Sequence, residues 1–161
     1  MRKHLLPLML LVLAAASACK QEPREADKAP RTVEEITRAI IQEVRQVIRE
    51  TDEQLAGRQP ISRELPAADG QASGGSLQLW TENGQAVRLT AITGKGSETR
   101  YYFANGELFF ASQADGLFIF IGPELKYWLD AHWAPLQPSE ADRKARETAL
   151  QEEAKGYLML F

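Results

Sequence analysis

The chain has 161 residues, of which 44% are hydrophobic and 25% are charged, and its formal net charge is −3. This balance is typical of an ordinary globular domain and excludes a disordered tail, a collagen-like chain and a multi-span membrane protein. The single cysteine, Cys19, excludes an internal disulfide framework and a metal cluster built on cysteines.

Residues 1–18 have the layout of a secretory signal peptide. A basic start, Met1 to His4, precedes an uncharged apolar run from Leu5 to Ala18. The run is too short for a membrane-spanning helix, which needs about 20 apolar residues, and polar residues follow it directly. We therefore predict that the chain is exported.

The end of this leader, Ala16-Ser17-Ala18-Cys19, resembles the lipobox of bacterial lipoproteins. In that family, signal peptidase II cuts before the cysteine, whose sulfur carries a diacylglycerol and whose amine usually carries another acyl chain. The resemblance implies lipid attachment at Cys19 and a membrane as partner, since two or more acyl chains hold a protein stably on a bilayer. Lys20 follows the cysteine, where the family's inner-membrane retention signal would be aspartate, so the outer membrane is favoured in a Gram-negative cell. The competing interpretation is ordinary signal-peptidase cleavage after Ala18, which releases a soluble protein.

The mature chain is expected to consist of a flexible tether and one domain. Residues 19–31 hold prolines and mixed charges and few apolar residues, which predicts a tether. Residues 32–161 form a single domain. Loss of residues 1–18 removes Arg2 and Lys3, so the exported chain is more acidic than the whole, and we expect no nucleic-acid partner.

A long helix is predicted from residue 33 to residue 56. Thr32 and Glu35 form a capping-box pattern, hydrophobic residues then recur every three or four positions, and Gly57 can end the helix. The apolar stripe is wide and rich in β-branched residues, which favours packing against a sheet. Dimerisation through this helix is the alternative.

A loop is predicted over residues 58–75, which hold prolines and glycines and show no periodicity. From residue 76 onward, alternating runs separated by glycine turns predict an antiparallel meander of five or six strands. Residues 125–129 fit a sixth strand or one helical turn, and their aromatic content favours the strand.

Two hairpins allow register predictions. In the first, a three-residue loop over 82–84 would pair Leu79 with Val87, and we favour it over a two-residue Asn83-Gly84 loop because it keeps apolar residues on one face. In the second, the two-residue loop Asn105-Gly106 predicts three opposed pairs: Phe103 with Leu108, Tyr101 with Phe110, and Tyr102 with Phe109.

A second helix should begin after Ser139, with Asp142 three residues further on. The predicted fold is therefore α+β, with a long N-terminal helix, the antiparallel meander and a C-terminal helix.

A possible binding surface lies on the second face of the sheet. Trp80, Arg100, Tyr102 and Phe109 would present aromatic rings and a charge to a peptide, a glycan or a partner protein. The alternative is that one helix covers this face and the sheet has a core on both sides.

Three function classes remain open. The leading hypothesis is a non-enzymatic, membrane-anchored envelope protein that binds an envelope protein or peptide, without cofactor or metal. A hydrolase would use His132, the one histidine beyond the leader, with carboxylates such as Asp130. A purely structural subunit would use the long helix.

Overall fold

The computed structural model describes residues 32–66 and 74–161. The predicted leader, Cys19 and the tether lie outside these residues. Nine elements follow each other in chain order: α1 (Val33–Leu55), β1 (Ile61–Glu64), β2 (Ser76–Glu82), β3 (Gln85–Ile92), β4 (Glu98–Ala104), β5 (Glu107–Gln113), β6 (Gly116–Ile121), β7 (Glu124–Leu129) and α2 (Glu140–Leu158).

The strands form one antiparallel sheet in which each strand lies beside the next in the sequence. The predicted α+β class is confirmed, and the segment that ends at Leu129 is the last strand. The sheet has seven strands instead of five or six, because β1 lies within the predicted loop and pairs with β2. All four residues of β1 are exposed. The segment therefore lacks the alternation of buried and exposed residues by which a strand is predicted. Main-chain pairing at the sheet edge forms this strand.

Both helices begin at the predicted caps. The Thr32 hydroxyl accepts the N–H of Glu35 at 3.2 Å, and the Glu35 carboxylate accepts the N–H of Thr32 at 2.9 Å. This is the reciprocal capping box. Ser139 accepts the N–H of Asp142 at 3.1 Å in the same way at α2.

The first hairpin differs from the favoured register. Its loop is the two-residue Asn83-Gly84, with φ of 50° and 79°, so the favoured three-residue loop is wrong. A β-bulge shifts the pairing between Trp80 and Thr81, so Leu79 lies opposite Leu89 instead of Val87. The bulge lets the favourable Asn-Gly turn coexist with leucines on the same face.

The second hairpin has the predicted Asn105-Gly106 loop and the predicted pair of Phe103 with Leu108. A second bulge then moves Tyr102 opposite Phe110 and Tyr101 opposite Ala111, so the two other predicted pairs are wrong. Each bulge adds one residue to one strand, and a shift of one residue changes every later pair.

The sheet has a core on both faces. One cluster faces α2: Leu79, Leu89, Tyr101, Phe103, Ala111, Phe118, Phe120, Leu125, Leu150 and Ala154. The other faces α1: Ile41, Tyr102, Phe110, Ile119 and Leu129, with half-buried Val44, Ile48, Phe109 and Trp133 packed against them. The two-sided alternative is thus the arrangement found.

Candidate functional site

The predicted aromatic surface lies mostly beneath α1. Trp80 is 8% exposed and Tyr102 is 1% exposed, while Phe109 is half-buried and Arg100 remains exposed. The prediction of an open surface is therefore corrected for Trp80 and Tyr102. When α1 covers these large rings, it removes their apolar surface from water, and this favours packing of α1 on this face.

A polar contact through Asp52 joins α1 to the sheet. Trp80, Arg88 and Tyr102 lie opposite each other on β2, β3 and β4. Arg88 Nη1 donates to Asp52 Oδ1 at 2.7 Å, and the Tyr102 hydroxyl donates to the same oxygen at 2.9 Å. The Arg88 guanidinium also lies 3.8 Å from the centre of the Trp80 ring. We call Asp52, Arg88 and Tyr102 the Asp52 latch.

The surroundings keep the Tyr102 hydroxyl protonated. Burial raises the pKa of Tyr102 to about 12, and the charge of Asp52 and its hydrogen bond with the hydroxyl add to the effect. Tyr102 is therefore a neutral donor at physiological pH. Sequence reasoning missed Asp52 and Arg88, since they lie far apart in the chain. The one available signal was an arginine between apolar residues in β3.

A groove runs beside α1 and is bounded by Trp133. Its main part has a volume of about 760 Å³, and a second depression of about 520 Å³ lies towards the start of α1. The two share Gln42, Arg45 and Trp133. We call them together the α1 groove. The α1 residues that line the main part are Gln42, Arg45, Gln46, Ile48, Arg49, Asp52 and Glu53.

The wall of the α1 groove is a tryptophan in a strained conformation. Trp133 has a φ of 68°, which is unusual for a bulky side chain. The Asp130 carboxylate holds the turn, because its Oδ1 accepts the N–H groups of His132 at 2.8 Å and Ala134 at 2.9 Å. The Trp133 indole stacks on Phe110 with ring centres 5.4 Å apart and planes 5° from parallel. The turn and the stack together offset the backbone strain.

The predicted hydrolase residues occupy this same turn. His132 is exposed and lines the second depression of the groove. Asp130 binds main-chain N–H groups, and the amides of Ala134 and His132 hold the pKa of its carboxyl below its ordinary value. Within residues 32–66 and 74–161, no hydrogen bond joins the His132 ring to a carboxylate, and no cluster of His, Cys, Asp and Glu could hold a metal.

Comparison with protein-family models, with curated proteins and with solved structures found no match. In the part of the chain that the structure describes, no helix is both long and apolar enough to cross a membrane.

Proposed function

We propose that this chain is a bacterial envelope lipoprotein, held on a membrane by lipid on Cys19, whose domain is a non-enzymatic binding module. The observation that carries the proposal is the sequence Ala16-Ser17-Ala18-Cys19 at the end of an apolar run. Cys19 is also the only cysteine, and an exported chain with one unpaired thiol has no evident use for it. Lipid attachment gives that thiol a physical role.

The binding role is supported by the α1 groove. Its main part falls within the range of about 300–1,000 Å³ that is usual for ligand sites. Its polar lining combines guanidinium, amide and carboxylate groups beside one indole ring. Such a surface can offer hydrogen-bond donors and acceptors to a partner.

The test of the anchor is the variant Cys19→Ser, compared with Ser17→Ala, which keeps a small side chain beside the cleavage site. We expect the wild-type chain and Ser17→Ala in the membrane fraction, and Cys19→Ser in the soluble fraction. Mass spectrometry of the wild-type chain should show an N-terminal Cys19 with the added mass of acyl chains. Membrane association of Cys19→Ser, or an unmodified Cys19 in the mature chain, would overturn the proposal.

A further inference from the structure

Three arginines form a row on one side of α1. Arg38, Arg45 and Arg49 are separated by seven and four residues, so they lie on the same helix flank, with Gln42 between the first two. At about 1.5 Å per residue the row is roughly 16 Å long. All three arginines line the α1 groove, and all three are exposed.

These arginines form no ion pair with the described carboxylates. Among residues 32–66 and 74–161, no carboxylate lies within 4.0 Å of any of the three guanidinium groups. By contrast, Arg88 pairs with Asp52, and Arg100 pairs with Glu98. The groove therefore holds three arginines without described ion pairs, beside the carboxylates Glu34, Asp52 and Glu53. A site with unpaired arginines favours a ligand with carboxylates or phosphates.

The rest of the groove favours a polypeptide as the source of those carboxylates. Gln42 and Gln46 offer amide donors and acceptors, which match the main chain of a peptide. An extended segment advances about 3.3 Å per residue, so its side chains on one side recur at twice that distance. This spacing is close to the rise of roughly 6 Å along α1 from Arg45 to Arg49. A flat bilayer surface fits a concave groove less well than an extended segment, which can follow the arginine row between Glu34 and Glu53.

We propose that the α1 groove binds an acidic polypeptide segment of another protein, with Arg38, Arg45 and Arg49 as the residues that receive its carboxylates. This inference rests on the proposed binding role and names the chemistry of the partner. Trp133 is fixed in the groove wall because its ring stacks on Phe110, and the Arg45 guanidinium lies 5.1 Å from the ring centre. A rigid wall lowers the entropy cost of binding.

The test measures binding of a fluorescent peptide of about ten residues, long enough to exceed the arginine row, with glutamate at alternate positions. The full chain is purified in detergent, and fluorescence anisotropy gives its affinity. Arg38→Glu and Arg49→Glu are the informative variants, because neither side chain makes a described hydrogen bond or ion pair. Lys155→Glu is the matched control, since Lys155 is exposed on α2, on the other side of the sheet. Circular dichroism checks that every variant is folded.

We expect each arginine reversal to weaken the peptide about tenfold or more, the double variant to abolish binding, and Lys155→Glu to change it little. Added salt should weaken binding to the wild-type chain, and a lysine peptide of the same length should not bind. The proposal is overturned if the glutamate peptide does not bind, if Lys155→Glu weakens it as much as Arg49→Glu, or if only vesicles of anionic phospholipid bind. Each of these results leaves the lipid on Cys19 unaffected, so the failure of this inference is distinguishable from the failure of the anchor.

Discussion

The two helices cover the two faces of the sheet in different ways. On one face α2 buries Leu150, which is 1% exposed, within the larger apolar cluster. On the other, α1 buries Ile41 to 8% exposure and leaves Ile36 and Val47 at 44% and 39%. Both helices add polar contacts with the sheet to their apolar packing, α1 through the Asp52 latch and α2 through bonds to β5 and β7. The two faces therefore differ mainly in the size of the apolar contact.

The α2 helix also completes the edge of the sheet. Main-chain groups of an edge strand have no neighbouring strand to bind. Glu147 accepts the N–H of Leu125 in β7 at 2.8 Å, and Arg143 donates to the carbonyl of the same residue at 3.1 Å. One turn of α2 thus satisfies both polar groups of Leu125. The α1 helix has its arginine row along a groove instead.

The largest expected effect is a difference in stability between truncation of the α2 contact and truncation of the α1 contact. Leu150→Ala should lower the free energy of unfolding by about 4 kcal/mol, since a fully enclosed cavity cannot collapse. Ile41→Ala should cost about 2 kcal/mol, because Ile41 lies at the groove margin where neighbours can relax. Urea unfolding followed by circular dichroism gives both values. An equal or larger loss for Ile41→Ala would contradict the difference between the two faces.

The next effect concerns the Asp52 latch. Asp52→Asn should cost about 1–3 kcal/mol, because it weakens the bonds from Arg88 and Tyr102 without changing the size of the side chain. Amide hydrogen exchange should rise in α1 and stay unchanged in α2. The neighbouring Glu53→Gln is the control, since Glu53 is exposed and has no described ion pair.

A double variant sharpens this test. In the Asp52→Asn background, Tyr102→Phe should lower the free energy of unfolding by less than it does in the wild-type chain, because the two side chains share a hydrogen bond. Strict additivity, or equal loss of protection in both helices, would show that the latch does not specifically hold α1.

The smallest expected effect is a pH dependence on the α2 face. Lys144 and the Leu125 amide hold the pKa of Glu147 below its ordinary value of 4.5. A lowered pKa in the folded state stabilises the fold above the unfolded pKa, and this stabilisation is lost as the pH falls through the folded pKa. Glu147→Gln should therefore lose stability at neutral pH and show a flatter decline in acid. The size is limited because Lys144 is largely exposed to solvent.

Unfolding free energies measured from neutral to acidic pH, for the wild-type chain and Glu147→Gln, check this prediction. Glu152→Gln is a suitable control, because Glu152 is exposed on the same helix. A decline that is unchanged in Glu147→Gln would show that other carboxylates set the acid stability.

Much of the fold could be read from local patterns. Thr32 and Glu35 marked the start of α1, Ser139 marked the start of α2, and the Asn-Gly pairs marked two hairpins. The candidate site was harder to predict from the sequence. The sequence identified Trp80 and Tyr102 as a pair on one face but not whether that face was open, since burial depends on where α1 lies. It also did not single out the arginine row, whose charges resemble those of any solvated helix flank.

By itself the sequence determined the α+β class, the starts of both helices and the Asn105-Gly106 turn, because capping and turn geometry depend on side chains within a few residues of each other. Tertiary structure alone decided the bulges beyond the two Asn-Gly turns, the edge strand β1, the contact of Asp52 with Tyr102 fifty residues further on, and the groove bounded by Trp133. These features depend on which distant surfaces meet, and a shift of one residue in a strand reverses what each face presents.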